Sequence, residues 1–297
     1  LPIYGALVIL ANKDLSIDKQ GNFGNIFTGD EASAARYIEC RLTPLAREVL
    51  FNSDITEYED TYDGRNSEPV AFPAKIPVLL AQGTEGIAPG MTTRILPHNL
   101  IELLEAQVAH LKGKPFHLFP DFPTGGFVDV SEYNDGNGKV LVRAKLDTRD
   151  PKRILVRELP YGSTSESLIA SIEAAARKNK LKIASISDYT AETCEVEIRL
   201  ARGVKSRDTE DALYAFTDCE SPISISSMVI KDDRPHILSV SDILKHNTDR
   251  LTQILQTELK LEERRLRDRL HARTLEQIFI ENRVYRQIEE VTDSQKI

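Results

Sequence analysis

The sequence predicts a multidomain α+β protein, and three observations carry that prediction. Its C-terminal segment is one uninterrupted helical pattern: no glycine or proline follows Pro235, and Leu244, Leu251, Leu255, Leu259, Leu266 and Leu270 recur at steps of seven and four. Such spacing writes an apolar stripe along a long helix. The middle of the chain, from about Phe116 to His236, alternates β-branched with charged residues in short runs separated by turn signals, the pattern of strands. The length of 297 residues exceeds the usual single domain, so two or three compact units are expected.

Taken in order, the elements begin with a mixed N-terminal stretch. Ala32 to Leu50 holds Tyr37, Arg41, Leu45 and Glu48 at helical spacing, which predicts a helix, bent or interrupted near Pro44. An acidic hairpin follows from Asp54 to Glu68, turning at Tyr62-Asp63-Gly64-Arg65-Asn66. Pro73, Pro77, Gly83, Gly86, Pro89 and Gly90 then punctuate a loop-rich run with short apolar pieces at Ile76 and Val78-Leu79-Leu80. In the middle segment, Asn134 to Gly138 reads as a turn feeding a strand from Lys139 to Leu146, with another from Arg153 to Leu159. Ser163-Thr164-Ser165-Glu166 is a capping-box pattern, and Leu168, Ile169, Ile172 and Ala176 follow it on one helical face. The final helix carries dense mixed charge on its other faces, as in Glu262-Glu263-Arg264-Arg265, suited to i,i+4 pairs. Fifty such residues would reach about 75 Å at ~1.5 Å each. No internal repeat is present.

Composition excludes several classes. With 41% apolar and 28% charged residues, and no apolar run of the ~18 residues a bilayer span needs, a membrane is not an expected partner. Leu1 opens the chain, and Gly5 to Ala11 lacks the basic flank and cleavage site of a signal peptide; the chain is expected to begin inside a longer protein. Cys40, Cys194 and Cys219 are dispersed and form no C-x-x-C, which suggests neither disulfides nor zinc and fits a reducing cytoplasm. The net charge of −8 argues, by itself, against nucleic acid, because phosphate affinity is mostly electrostatic. No G-x-S-x-G, H-E-x-x-H or Walker A motif occurs. Gly83 to Gly90 has the glycines of a phosphate loop without its lysine, and Tyr133 to Gly138 lacks the alternating ligands of a calcium loop. The histidines show no ligand spacing.

The informative segment is Gln20-Gly21-Asn22-Phe23-Gly24-Asn25, then Gly29-Asp30, then Ala34-Ala35-Arg36-Tyr37-Ile38-Glu39-Cys40-Arg41-Leu42. It resembles the catalytic region of the A subunits of bacterial type IIA topoisomerases, DNA gyrase and topoisomerase IV, where an Arg-Tyr pair follows a Gln-Gly-Asn-Phe-Gly turn. Further stretches agree in order: Tyr62-Asp63-Gly64; Pro73-Ala74-Lys75-Ile76-Pro77 with Leu79-Leu80; Gly86-Ile87-Ala88 with Gly90-Met91 and Pro97-His98-Asn99-Leu100; and Pro120-Asp121-Phe122-Pro123-Thr124-Gly125-Gly126. Tyr62 to Asn66 and Phe116 to Pro120 look closer to topoisomerase IV than to gyrase.

The resemblance implies a role for each residue. Tyr37 would be the nucleophile that attacks a DNA backbone phosphate. Phenols ordinarily titrate at about 10, so such a tyrosine needs a cation nearby and a group to take its proton. Arg36 would supply fixed charge and pair with the phosphate oxygens as negative charge builds on them. Arg41 is open to two readings, a backbone contact or an ordinary ion pair. Ile87 would wedge between base pairs and bend the duplex; Gly86 and Gly90 favour an exposed loop over the alternative of a core isoleucine. Pro89 departs from the family, which more often has a β-branched aliphatic residue there. Gln20 and Asn22 lie in the matching motifs, as does His98, and Arg94 lies between two of them; all four are expected to add DNA contacts.

The same resemblance implies a partial winged-helix domain over residues 1–70, an α+β tower domain over 71–237 and the start of a coiled-coil arm over 238–297, ending without a returning helix. It implies a cytoplasmic, nucleoid-associated enzyme, built of two A and two B subunits, that works on a DNA duplex, with Mg2+ and ATP both held by the B component. Asp54 to Glu68 contains six acids against Arg65 alone, so the acidity is local. Much of the family's positive groove comes from a helix that would precede Leu1, and this chain alone is expected to bind DNA weakly. A rival reading is a non-catalytic DNA-binding or coiled-coil scaffold.

Overall fold

A computed structural model describes residues 2–232 and 234–286. The chain divides into two compact units, residues 1–51 with 74–248 and residues 52–73 with 249–297. Elements follow in chain order: α1 (Pro2–Asn12), β1 (Ile17–Gln20), β2 (Glu39–Leu42), α2 (Pro44–Leu50), β3 (Tyr58–Asp60), β4 (Ser67–Pro69), α3 (Val78–Gln82), β5 (Thr84–Ala88), β6 (Met91–Ile95) and α4 (Leu100–Leu111). Then come β7 (Phe127–Asp129), β8 (Lys139–Arg143), β9 (Lys145–Asp147), β10 (Arg153–Glu158), α5 (Ser165–Arg177), β11 (Ile183–Asp188), β12 (Val196–Leu200), α6 (Ser206–Phe216), β13 (Glu220–Ser224), β14 (Met228–Lys231), β15 (Arg234–Ile237) and α7 (Val240–Glu281). This is a mixed α+β architecture of small antiparallel sheets with one long helix.

The helix expected over Ala32 to Leu50 does not form as such. Ala35–Tyr37 is a single 3-10 turn, Glu39–Leu42 pairs with β1 from Ile17↔Leu42 to Gln20↔Glu39, and only Pro44–Leu50 is α-helical. Pro44 starts a helix rather than bending one. Its missing N–H costs nothing at the first helical position, and the Thr43 hydroxyl caps the turn by accepting from Ala46 N–H at 3.0 Å.

Two large cores and a smaller third one organise the first unit. In the four-stranded sheet β11-β12-β10-β9, Ile154 and Val156 of β10 and Val196 and Ile198 of β12 are buried together with Leu168 and Ile172 of α5 and Leu213 of α6. Along β10 the charged Arg153 and Arg157 alternate with those apolar residues, the period-two signature of a one-faced strand. Helix α5 carries the expected box, displaced by one residue. Thr164 is the N-cap, accepting from Ser167 N–H at 3.2 Å, and Ser167 Oγ accepts from Thr164 N–H at 3.0 Å. Thr164→Ala is expected to lose about 1 kcal/mol of stability, read as a lower midpoint in urea denaturation; no change would remove the cap from the account.

The second core gathers Leu80, Ile95, Leu96, Leu103, Val140, Val142 and Ile223 with Val240, Ile243 and Leu244 from the first turns of α7. The single strand expected over Lys139 to Leu146 is two. β8 joins the sheet β13-β8-β7 and β9 the four-stranded one, and the chain changes sheet at Ala144, fully buried, whose N–H donates to Cys219 O at 2.7 Å.

In the second unit, β3 and β4 form the expected hairpin, closed by Thr61 N–H to Asn66 O at 2.9 Å and turned at Gly64 with φ 63°. Asn52 Nδ2 donates to Glu258 Oε1 at 2.8 Å, and Arg265 pairs with Asp54 at 2.8 Å, tying this segment to α7. The leucine stripe is exposed at Leu255, Leu259, Leu266 and Leu270, and Arg267 pairs with Glu263 one turn back at 2.8 Å. The last part of the expected arm, residues 287–297, lies outside the described residues. Among the described residues no helix is long and apolar enough to cross a membrane.

Candidate functional site

The turn that carries Tyr37 rests on a glycine-shaped loop. Gly21 (φ 99°) follows the last residue of β1, and a Cβ there would lie 2.9 Å from Tyr37 O and 3.0 Å from Ile38 Cγ2. Only glycine lets the two backbones approach so closely. Asn22 Oδ1 accepts from Gly24 N–H at 2.8 Å, and Asn22 O accepts from Ser33 N–H at 3.0 Å, folding the loop back beneath the turn. Phe23 anchors it, buried with Ala11 and Ile17. Tyr4 Oη donates to Ser33 O, and Asn12 Nδ2 to Phe23 O at 2.9 Å, so α1 braces the loop from below. Gly21→Ala, with a positive φ and a backbone clash, is expected to cost about 1–3 kcal/mol; an unchanged melting temperature would refute the close approach.

On this support Tyr37 is 68% exposed, and the Arg36 guanidinium carbon sits 4.7 Å from the centre of its ring, a cation–π distance. A phenol and a fixed cation thus share one solvent-facing turn. Gln20 and Asn22 are exposed beside it. Arg41 is not a helical turn beyond Tyr37: it lies on β2 opposite Asp18 and pairs with it at 3.2 Å, both side chains well exposed. Such pairs contribute about 0–1 kcal/mol, and of its two readings the geometry supplies the ion pair.

Ile87 stands on the hairpin of β5 and β6, opposite Thr92, and is 85% exposed. Pro89 and Gly90 (φ 75°) make its turn. On the same hairpin Arg94 pairs across the strands with Glu85 at 3.4 Å and exchanges backbone hydrogen bonds with Ser226. That bridge sets the hairpin of β14 and β15 beside it, leaving a groove of about 330 Å³ flanked by Ile87 and Ile230. Ile230, 82% exposed on the other flank of that groove, is a residue the sequence reading did not single out.

His98 is elsewhere. It is 4% exposed, with Nε2 3.0 Å from Tyr133 Oη and Nδ1 3.3 Å from Leu80 O. Burial lowers its pKa against weaker opposing hydrogen bonds and charges, and raises that of Tyr133. A ring so enclosed braces the core, a position the expectation of a DNA contact at His98 did not anticipate. Among the described residues no three His, Cys, Asp or Glu side chains gather to hold a metal ion.

The family of DNA gyrase/topoisomerase IV A subunits matches residues 2–297. The chain is 55% identical over 278 residues to the DNA topoisomerase 4 A subunit of Borreliella burgdorferi, covering 94% of this chain and 44% of that relative. It is 34% identical over 296 residues to the DNA gyrase A subunit of Lawsonia intracellularis, covering 91% of this chain and 36% of that relative. With the DNA topoisomerase 4 A subunit of Rickettsia conorii it shares 35% identity over 271 residues, 82% of this chain and 36% of the relative. The chain therefore spans less than half the length of these relatives. Arg36, Tyr37 and Ile87 all lie within the matched span, and the chain belongs to the family of DNA gyrase/topoisomerase IV A subunits.

Proposed function

We propose that this chain is part of the DNA breakage–reunion subunit of an ATP-dependent type IIA topoisomerase, of the topoisomerase IV kind, and that Tyr37 is its nucleophile. The observation that carries this reading is the exposed Tyr37 on a glycine-braced turn with the Arg36 guanidinium at 4.7 Å. The 55% identity to the A subunit of a topoisomerase 4 supports the finer assignment.

In the proposed reaction, Tyr37 Oη attacks a backbone phosphorus and gives up its proton. The P–O3′ bond breaks, leaving a 3′-hydroxyl and a 5′-phosphotyrosyl link. Negative charge on the non-bridging oxygens would be stabilised by guanidinium donors, a role proposed for Arg36. The phosphotyrosyl ester conserves the bond energy, so the 3′-hydroxyl reseals the strand by the reverse attack. Two A subunits would cut the two strands of one duplex and pass a second through. Gln20, Asn22 and Arg94 are proposed backbone or groove contacts, Ile87 the wedge. Magnesium and ATP are assigned to the B partner, and no step here runs through a metal on this chain. Residues 1–70 would serve as the tyrosine-bearing winged-helix part, 71–237 as the tower and 238–297 as the start of a coiled-coil arm.

The test uses the full-length protein with its B partner, magnesium, ATP and duplex DNA. Denaturant-trapped complexes are digested and the nucleotide-bearing peptide is sequenced by mass spectrometry. The nucleotide should be found on Tyr37. A link at another residue, or none in a preparation that decatenates DNA, sinks the assignment.

A further inference from the structure

Two neighbouring residues at the end of α1 reach in different directions. The helix stops at Asn12 because Asp14 takes a left-handed backbone (φ 50°), with Lys13 N–H on Leu10 O and Asp14 N–H on Ala11 O closing the last turn. Asn12 Nδ2 donates to Phe23 O at 2.9 Å, and Phe23 is the buried anchor of the loop under Tyr37. Lys13 Nζ donates to Gly83 O at 2.8 Å, and Gly83 directly precedes β5, the strand of Ile87. One dipeptide therefore touches both the floor of the tyrosine turn and the root of the wedge hairpin.

Gly83 is a fixed anchor. It has φ 63° and ψ 165°, a conformation nearly confined to glycine. A Cβ there would lie 2.7 Å from Ile95 O and 2.8 Å from Pro97 N, so the two strands of the hairpin close on each other at this point. Lys13 as a whole is exposed, yet desolvation around its ammonium group lowers its pKa. A desolvated ammonium needs its acceptor, which favours a maintained contact over a freely waving side chain.

We infer that Lys13 is a positioning residue: by holding Gly83 O while Asn12 holds Phe23 O, it sets the spacing between the Tyr37 hydroxyl and the Ile87 wedge. The scissile phosphate then falls at a fixed offset from the bend. The inference rests on the roles given above to Tyr37 and Ile87. The plain alternative is a cation at a helix C-terminus, favourable for its charge alone. Such a cation has no influence on where DNA is cut.

The test compares Lys13→Met, Lys13→Gln and Lys13→Arg in the full-length protein with its B partner, on one end-labelled duplex carrying a fluorophore pair. Lys13→Met and the shorter Lys13→Gln should bend DNA as the parent does. They should form about tenfold less covalent complex, since misplacement by about 1 Å costs up to a hundredfold, and they should spread the cut over neighbouring phosphates. Lys13→Arg, which still reaches and donates, should restore a single position. Parental adduct levels with an unchanged cut position in both Met and Gln variants would overturn the inference, as would a loss that follows the melting temperature while the cut stays in place. Tyr37→Phe and Ile87→Ala serve as controls. If Tyr37→Phe still forms adduct or Ile87→Ala still bends DNA, the site reading itself fails.

Discussion

Tyr37→Phe in the full-length protein, together with its B partner, is expected to eliminate the covalent DNA adduct, a loss of about a thousandfold or more by analogy with other removed nucleophiles. The substitution deletes one oxygen and keeps the ring. The Arg36 guanidinium, 4.7 Å from the ring centre, still has an aromatic face to lie on. The side chain is mostly exposed, and exposed positions of this sort change stability by less than about 0.5 kcal/mol. The backbone of the turn is held by the close approach at Gly21 and by Tyr37 N–H on Ala34 O at 2.9 Å, both made by Tyr37 backbone atoms and not by its ring. The variant should therefore melt with the parent, bind and bend DNA, and fail only at the bond-forming step. Adduct trapped at the parental level would reject Tyr37 as nucleophile, whatever the fold.

How much of this is readable in the sequence depends on the range of the deciding contact. The hairpin at Tyr62 to Asn66, the box at Thr164 and the alternation of β10 are set by residues a few positions apart, and each forms near its expected place. Ala32 to Leu50 departs from expectation because its helical spacing competes with strand pairing to Ile17–Gln20, some twenty residues away, and such non-local pairing overrides local propensity. Arg41 changes neighbours with that element. The split at Ala144 has the same cause: its N–H is claimed by Cys219, and no local pattern announces a change of sheet. The burial of His98 is not readable in the sequence, because a motif marks importance without marking burial. The loop beneath Tyr37 is legible because Gly21, Asn22 and Gly24 are needed by its geometry and stand together in the sequence.

Ile87→Ala should produce the opposite dissociation of effects, a loss of bending from a protein that still possesses Tyr37. At 85% exposed, Ile87 contributes little to the fold, and alanine at a strand position opposite Thr92 disturbs no core; stability should stay within about 0.5 kcal/mol. An apolar wedge repays the unstacking of a base step, about a few kcal/mol, so shortening it shifts the bound duplex toward its straight form. Cleavage should fall by about tenfold to a hundredfold, because a phosphate on an unbent duplex misses the geometry of attack. Affinity is the discriminating measurement. A residue that merely touched DNA would weaken binding when truncated, whereas a wedge that spends binding energy on distortion leaves affinity nearly level while energy-transfer signals report a smaller bend. Ile87→Met, which keeps apolar length, should retain most of the bend. An Ile87→Ala protein that bends DNA as the parent does would exclude the wedge and leave Ile87 as a groove contact.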